Sequence, residues 1–278
     1  MRFASFTHDG RQSFGLIDGD AILDLGSLTG SGLRQALAAG LDNALARKGE
    51  ARRLPLDALT LLPPIPDPAR IICVGRNYLD HLTEGKNADL PAYPGLFLRF
   101  ASTLTGHRGP ILHGPASDNL DYEGELAVII GKPGRHIARA DALGHVAGYS
   151  CFMDATMRDF QAKYSATIGK NFPSTGGFGP WLTTSDAVGD PGEGLTLETR
   201  LNGATMQSSS TAKMIFDLPT IIEFVSVFTP LEAGDVIITG TPEGIGRARK
   251  PPVWMRPGDV VEVEIEKVGL LSNTVVAE

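Results

Sequence analysis

Between positions 63 and 68 four of six residues are proline, in the run Leu62-Pro63-Pro64-Ile65-Pro66-Asp67-Pro68. Each proline fixes its own φ and lacks an amide hydrogen, so this run continues neither a helix nor a central strand. It is expected to divide the chain into a small N-terminal α+β domain, 1–65, and a larger domain, 66–278. Before it, Arg2 to Phe6, Ser13 to Ile17 and Ala21 to Asp24 alternate like a strand meander, and the Ala- and Leu-rich stretch from Leu33 to Arg47 predicts a helix interrupted at Gly40. After it, strands are expected at Ile71–Val74, Leu96–Phe100, Glu123–Ile130, Val146–Met153, Leu195–Leu201, Val236–Thr239 and Val260–Glu266. Helices are expected at Asn77–Glu84, Thr156–Lys163 and Asp217–Val227. Strands outnumber helices and do not alternate with them, which predicts a β-rich α+β fold over a doubly wound parallel sheet.

Composition narrows the partners. Lys and Arg number 25 against 32 Asp and Glu, a net charge of −7 with no basic stripe, so nucleic acid is not an expected partner. The most apolar runs, Leu126–Ile130 and Ile221–Phe228, are well short of the ~20 residues of a membrane helix, so no membrane partner is expected either. Cys73 and Cys151 fit no metal-binding spacing and form at most one bridge. A reducing compartment follows, and with an N-terminus that turns polar after a few residues the expectation is cytoplasmic.

The segment Asp121-Tyr122-Glu123-Gly124-Glu125-Leu126 concentrates the chemistry. On a strand, Glu123 and Glu125 point to one face, where they repel each other and lose hydration as the strand turns apolar. A divalent cation relieves both effects, and oxygen donors suit Mg²⁺, Mn²⁺ or Ca²⁺. The alternative is two solvated glutamates on an exposed strand face. Asp154 ends a predicted strand, either as a helix N-cap or, with Arg158 and Gln161 at i+4 and i+7, as part of one helix stripe carrying an acid, a guanidinium and an amide. Arg158 is alternatively an ordinary ion-pair partner. His81 and Glu84, at i and i+3, allow a carboxylate to orient an imidazole as a general base, although a solvated helix surface has the same spacing.

Two glycine-rich stretches, Ile168 to Trp181 and the one that runs to Gly246 after the expected strand Val236–Thr239, read as loops. The second matches neither GxGxxG nor the P-loop pattern, and its amides and threonines suit a small carboxylate, with plain turn chemistry as the alternative for both. No GxSxG elbow is present. His8, His107, His113, His136 and His145 have no ligand spacing and are taken as structural.

Taken together, Asn77-Tyr78 with His81 and Glu84, Asp121 to Leu126, Asp154 with Arg158-Asp159 and Gln161, Gly169-Lys170-Asn171-Phe172 and Thr239-Gly240-Thr241-Pro242 resemble the fumarylacetoacetate hydrolase family, in its motif order from about Arg70 onward. The resemblance implies a mixed β-sandwich roll, usually a homodimer, binding Mg²⁺ or a similar ion. It puts the metal ligands on Glu123, Glu125 and Asp154, the catalytic dyad on His81 and Glu84, an enolate-stabilising lysine on Lys170, and substrate contacts on Arg158, Gln161 and Thr241. Arg99 stands where many members carry lysine, which would alter the distal pocket. The implied activity is hydrolysis of a C–C bond in an acylpyruvate, releasing pyruvate and a carboxylic acid in the catabolism of aromatic or related compounds. Decarboxylation of oxaloacetate, or isomerisation of a 2-hydroxydiene dioate, uses the same enolate chemistry. A catalytically silent oxo-acid-binding protein is the alternative of another class, against which the dyad and Lys170 argue.

Overall fold

A computed structural model describes residues 1–84 and 89–278. Its largest sheet is mixed. Along one path its strands run Arg52–Pro55, Ala21–Asp24, Arg11–Asp18, Arg2–His8, Gly176–Thr184, Val146–Asp154, Gly124–Ile130, Val236–Ile238, Ile71–Gly75 and Gly95–Arg99. A second sheet orders Ala204–Ser210, Thr196–Leu201, Val260–Ile265, Gly269–Ala277 and Pro110–His113. Among the described residues the fold is thus β-rich α+β, with two large packed sheets, one two-stranded pair and mostly short helices.

Strand Gly124–Ile130 is buried throughout. Its alternation splits it between two cores: Leu126, Val128 and Ile130 face the second sheet and helix Leu218–Phe228, while Ala127 and Ile129 join Phe3, Phe14, Phe152 and Phe178. Burial on both faces explains why this strand reads as an unbroken apolar run. Helix Leu218–Phe228 is capped by Asp217, whose side chain accepts the Thr220 amide, and has proline in its first turn. The N-terminal meander extends the large sheet, with Phe3 opposite Leu182, and the helical stretch after it breaks at Gly40, where φ is 86°. Beyond the meander, Ser5 Oγ donates to the Pro64 carbonyl at 2.7 Å and Ile65 is fully buried.

One expectation fails here. The stretch Gly176 to Trp181 is not a loop but the first two thirds of the central strand Gly176–Thr184, paired with Val146–Asp154 and Arg2–His8. Its glycines answer to close packing: a Cβ on Gly177 would lie 2.6 Å from Asn273 Oδ1 and 3.1 Å from Met153 Cβ. Cys73 and Cys151 are both free and buried. Among the described residues no helix is long and apolar enough to cross a membrane.

Candidate active site

Three carboxylates meet at one end of strand Gly124–Ile130. Glu123 and Glu125 flank its first residue, on the face that Ala127 and Ile129 continue. Asp154 ends the antiparallel neighbour, and its amide donates to the Glu123 carbonyl at 2.8 Å. One carboxylate oxygen from each lies within 4.8 Å of the others, and all three residues are buried. The solvated-glutamate alternative therefore does not hold. Between the glutamates only glycine fits, since a Cβ on Gly124 would lie 2.0 Å from Thr199 Oγ1 and 3.3 Å from Val263 Cγ1 on the second sheet.

Asp154 neither caps nor rides on a helix, contrary to its spacing. Strand Thr156–Met157 pairs with Leu120–Asp121 and turns the chain, so the helix starts at Arg158. Arg158 and Gln161 do share that helix, and Arg158 Nη1 donates to Gln161 Oε1 at 2.9 Å. Arg158 also donates through Nε to Asp121 at 2.7 Å and through Nη2 to Glu123 at 2.5 Å. The ammonium of Lys170, at the end of helix Ala166–Lys170, lies 2.5 Å from both Glu123 Oε2 and Asp154 Oδ2, and 2.8 Å from Thr156 Oγ1.

Arg99 does not face a distal pocket. It is buried behind Asp154, donating from Nε to Asp154 Oδ1 and from Nη2 to the Ala155 carbonyl at 2.7 Å. Edge strand Gly95–Arg99 sends this last side chain inward, so its planar fork braces a carboxylate of the triad.

The electrostatics ask for a further cation. Four buried carboxylates (Asp121, Glu123, Glu125, Asp154) face three buried cations (Arg99, Arg158, Lys170), one positive charge short. For Glu123, burial pushes the carboxyl up, but Arg158 and Lys170 more than reverse that and hold it well below the ordinary range. Glu125 has its polar contact with the Gly240 amide at 2.6 Å. Burial, then the charges of Asp154 and Glu123, push it well above the ordinary range. A carboxylate so destabilised, within reach of two more, fits a divalent cation held by oxygen donors.

His81 Nδ1 lies 3.1 Å from Glu84 Oε2, and Glu84 Oε1 accepts the Gly244 amide at 2.9 Å. With Nδ1–H directed at Glu84, the His81 Nε2 lone pair is left for proton transfer. When protonated, His81 adds to the positive field that favours the Glu123 carboxylate. Thr241 is buried, and its hydroxyl donates to the Gly124 carbonyl at 3.0 Å while accepting from Gln207 Nε2 at 2.8 Å. That ties it to the glutamate strand and leaves its one hydroxyl hydrogen engaged. Of the nine predicted site residues, Glu123, Asp154, Arg158, Gln161 and Lys170 are joined side chain to side chain, whereas Glu125, the His81–Glu84 pair and Thr241 meet them through backbone groups.

The family model described as "Fumarylacetoacetate (FAA) hydrolase C-terminal" matches residues 70–276. The chain belongs to the fumarylacetoacetate hydrolase family. It is 41% identical over 257 residues to oxaloacetate tautomerase FAHD2A, mitochondrial, of Homo sapiens, covering 91% of this chain and 78% of that protein. It is 44% identical over 225 residues to oxaloacetate tautomerase YisK of Bacillus subtilis, covering 79% and 74%. Among solved structures, maleylpyruvate hydrolase from Sphingobium sp. SYK-6 in complex with manganese(II) ion and pyruvate superposes with a TM-score of 0.84 at 32% identity, over 100% of this chain and 99% of that one.

Sequence reasoning gave no role to two buried side chains that shape this family site. Asn77 clamps the chain after strand Val236–Ile238, donating to the Thr239 carbonyl at 2.8 Å and to the Phe216 carbonyl at 3.1 Å. Gln207 accepts the Gly124 amide at 2.9 Å and donates to Thr241 and the Pro242 carbonyl. Asn77 stood within a quoted motif; Gln207, on an outer strand of the second sheet, carried no local signal.

Proposed function

We propose that this protein interconverts the keto and enol forms of oxaloacetate or a close 2-oxo diacid, using Mg²⁺ at Glu123, Glu125 and Asp154. The observation that carries this reading is the oriented His81–Glu84 pair beside a buried carboxylate triad and a buried lysine. The 41% and 44% identities to two oxaloacetate tautomerases support the choice of substrate.

When bound, the cation would withdraw electron density from the 2-oxo group, making the C3 protons acidic and an enolate accessible. His81 Nε2 takes the C3 proton and delivers it to the 2-oxygen to give the enol, or carries it in the opposite direction, while Glu84 fixes the ring and balances the imidazolium. The Lys170 ammonium faces the charge that develops on the 2-oxygen; burial there disfavours its charge, but Asp154 and Glu123 outweigh this and raise its pKa. Arg158 spends three N–H groups on Asp121, Gln161 and Glu123 and has others left for a substrate carboxylate.

Hydrolysis of an acylpyruvate is the second reading. It is favoured by the same His81–Glu84 geometry, which serves equally to deprotonate a water, and by the likeness to maleylpyruvate hydrolase. The two are separated by supplying enol-oxaloacetate and acetylpyruvate in turn, with Mg²⁺ and after chelation. Metal-dependent acceleration of enol decay without pyruvate release supports the tautomerase. Pyruvate with one equivalent of acetate from acetylpyruvate, and no effect on the enol, would replace it with the hydrolase. His81→Ala should abolish either activity.

A further inference from the structure

The segment Gly240 to Arg247 does bind carboxylates through its backbone, and they are the chain's own. The Gly240 amide donates to Glu125 at 2.6 Å and the Gly244 amide to Glu84 at 2.9 Å. The Gly246 and Arg247 amides donate to Asp121 at 2.7 and 3.1 Å. One strap thus holds a carboxylate of the triad, the carboxylate of the dyad and a third, Asp121, to which the activity has so far given no part.

Asp121 is fully buried and completely used. Oδ1 takes the Tyr122 amide at 2.9 Å as well as Gly246, and Oδ2 takes Arg158 Nε at 2.7 Å as well as Arg247. The strap is shaped to reach it: a Cβ on Gly246 would lie 2.6 Å from Asp121 Oδ1 and 1.9 Å from the Val253 carbonyl oxygen. Gly244, at φ 99°, would put a Cβ 2.2 Å from the Met206 carbonyl oxygen. Its own carbonyl accepts from Tyr122 OH at 3.1 Å, and Arg249 bonds that hydroxyl at 2.9 Å and the Met206 carbonyl at 2.6 Å. Only the segment 241–245 therefore separates Gly240 from Gly246, and the amides of both glycines donate to buried acids.

We infer that Asp121 is a positioning residue joining the two halves of the site: its Oδ2 aims Arg158 at the substrate carboxylate, and both oxygens pin the strap whose Gly244 amide orients Glu84, and through it His81. The inference rests on the oxo-acid reading above for what Arg158 and His81 do; the linkage from Asp121 to Glu84 stands on geometry alone.

A double-mutant cycle between Asp121→Asn and Glu84→Ala tests it. Asparagine keeps the volume but replaces one oxygen by an amide group that cannot accept from Arg158 or Arg247. In the otherwise native protein, Asp121→Asn should raise KM for oxaloacetate and lower kcat, each by about 10-fold or more, as outer-layer partners of a site typically do. In the Glu84→Ala background the kcat effect should disappear while the KM effect persists. A purely structural role would instead lower kcat by the same factor in both backgrounds, which would overturn the inference. Hydrogen exchange supplies an arm independent of turnover: Asp121→Asn should accelerate exchange in helix Leu79–Glu84, and no further acceleration should follow in the double variant. Unchanged exchange in that helix would overturn the linkage even if the substrate were misassigned. Should Asp121→Asn not fold, Tyr122→Phe loosens the strap without touching Arg158, so it must lower kcat and leave KM unchanged; an equal effect on KM would contradict the division of roles.

Discussion

Lys170 Nζ donates to Glu123 Oε2 at 2.5 Å, which ties the lysine predicted to face enolate charge to a carboxylate predicted to hold the metal. The same ammonium reaches Asp154 Oδ2 at 2.5 Å, so it sits where electrostatic stabilisation in a water-poor site is strongest. Lys170→Met should lower kcat by about 10²- to 10³-fold, the usual cost of removing one fixed charge-stabilising donor. Steady-state kinetics on enol-oxaloacetate checks this, and a kcat within about threefold of wild type would contradict the role.

Arg99 donates once to Asp154 and spreads its remaining N–H groups over neighbouring hydroxyl and carbonyl acceptors, a planar set that an ammonium does not reproduce. Lysine would lose at least one of the bonds to the Ala155 carbonyl, Thr175 Oγ1 and the Thr175 carbonyl, at 2.7, 3.2 and 3.3 Å. Arg99→Lys should cost about 1–3 kcal/mol of stability, the penalty for buried acceptors left unpaired. Chemical denaturation of the two proteins measures it; equal midpoints and slopes would show that the fork is dispensable.

Gly124 lets the glutamate strand lie against Thr199 and Val263. Gly124→Ala should overpack that contact and cost about 1–3 kcal/mol. It should also weaken divalent-ion binding, because Glu123 and Glu125 move with their shared neighbour. Thermal unfolding and calorimetric Mn²⁺ titration follow the two effects, and a variant matching wild type in both would refute the packing argument.

Much of the centre was legible because strand geometry is local. The period of two puts Glu123 and Glu125 on one face with no knowledge of the fold. Asp154 was found for its type and its place at a strand end, yet the helix after it was expected too early: the helix-favouring run hides the short pairing of Asp121 with Thr156, which exists only in three dimensions. Strand Gly176–Thr184 was illegible for a stronger reason. Its glycines oppose strand propensity and are required by neighbours distant in sequence, such as Asn273. The strap was read as able to hold a carboxylate, and the identity of those carboxylates, Glu84, Glu125 and Asp121, needed the fold.

His107 gives a pH dependence separate from the site. Burial, then the neighbouring Arg108 charge, lower its pKa to about 4 from 6.5, and its Nδ1 accepts the Ser272 amide at 3.1 Å, which requires the neutral ring. Between these values the unfolded chain binds the proton that the folded one refuses, so stability is fully present above about 6.5 and falls as pH drops towards about 4. The shift bounds the loss at about 3 kcal/mol, and solvent screening at this half-buried ring reduces it to about 1–2 kcal/mol. His107→Asn keeps an acceptor for Ser272 but does not titrate. Its melting temperature should fall less than that of wild type between pH 6.5 and 5. Parallel curves would contradict the assignment.

The central claim is that Glu123, Glu125 and Asp154 hold the divalent ion on which enolisation of an oxo acid depends. It is tested most directly by the decay of enol-oxaloacetate, corrected for the reaction without enzyme, using wild type with Mg²⁺, wild type after chelation, and Glu125→Ala with Mg²⁺. The first should accelerate decay and the other two should not. Undiminished acceleration by the chelated enzyme or by Glu125→Ala would contradict the account.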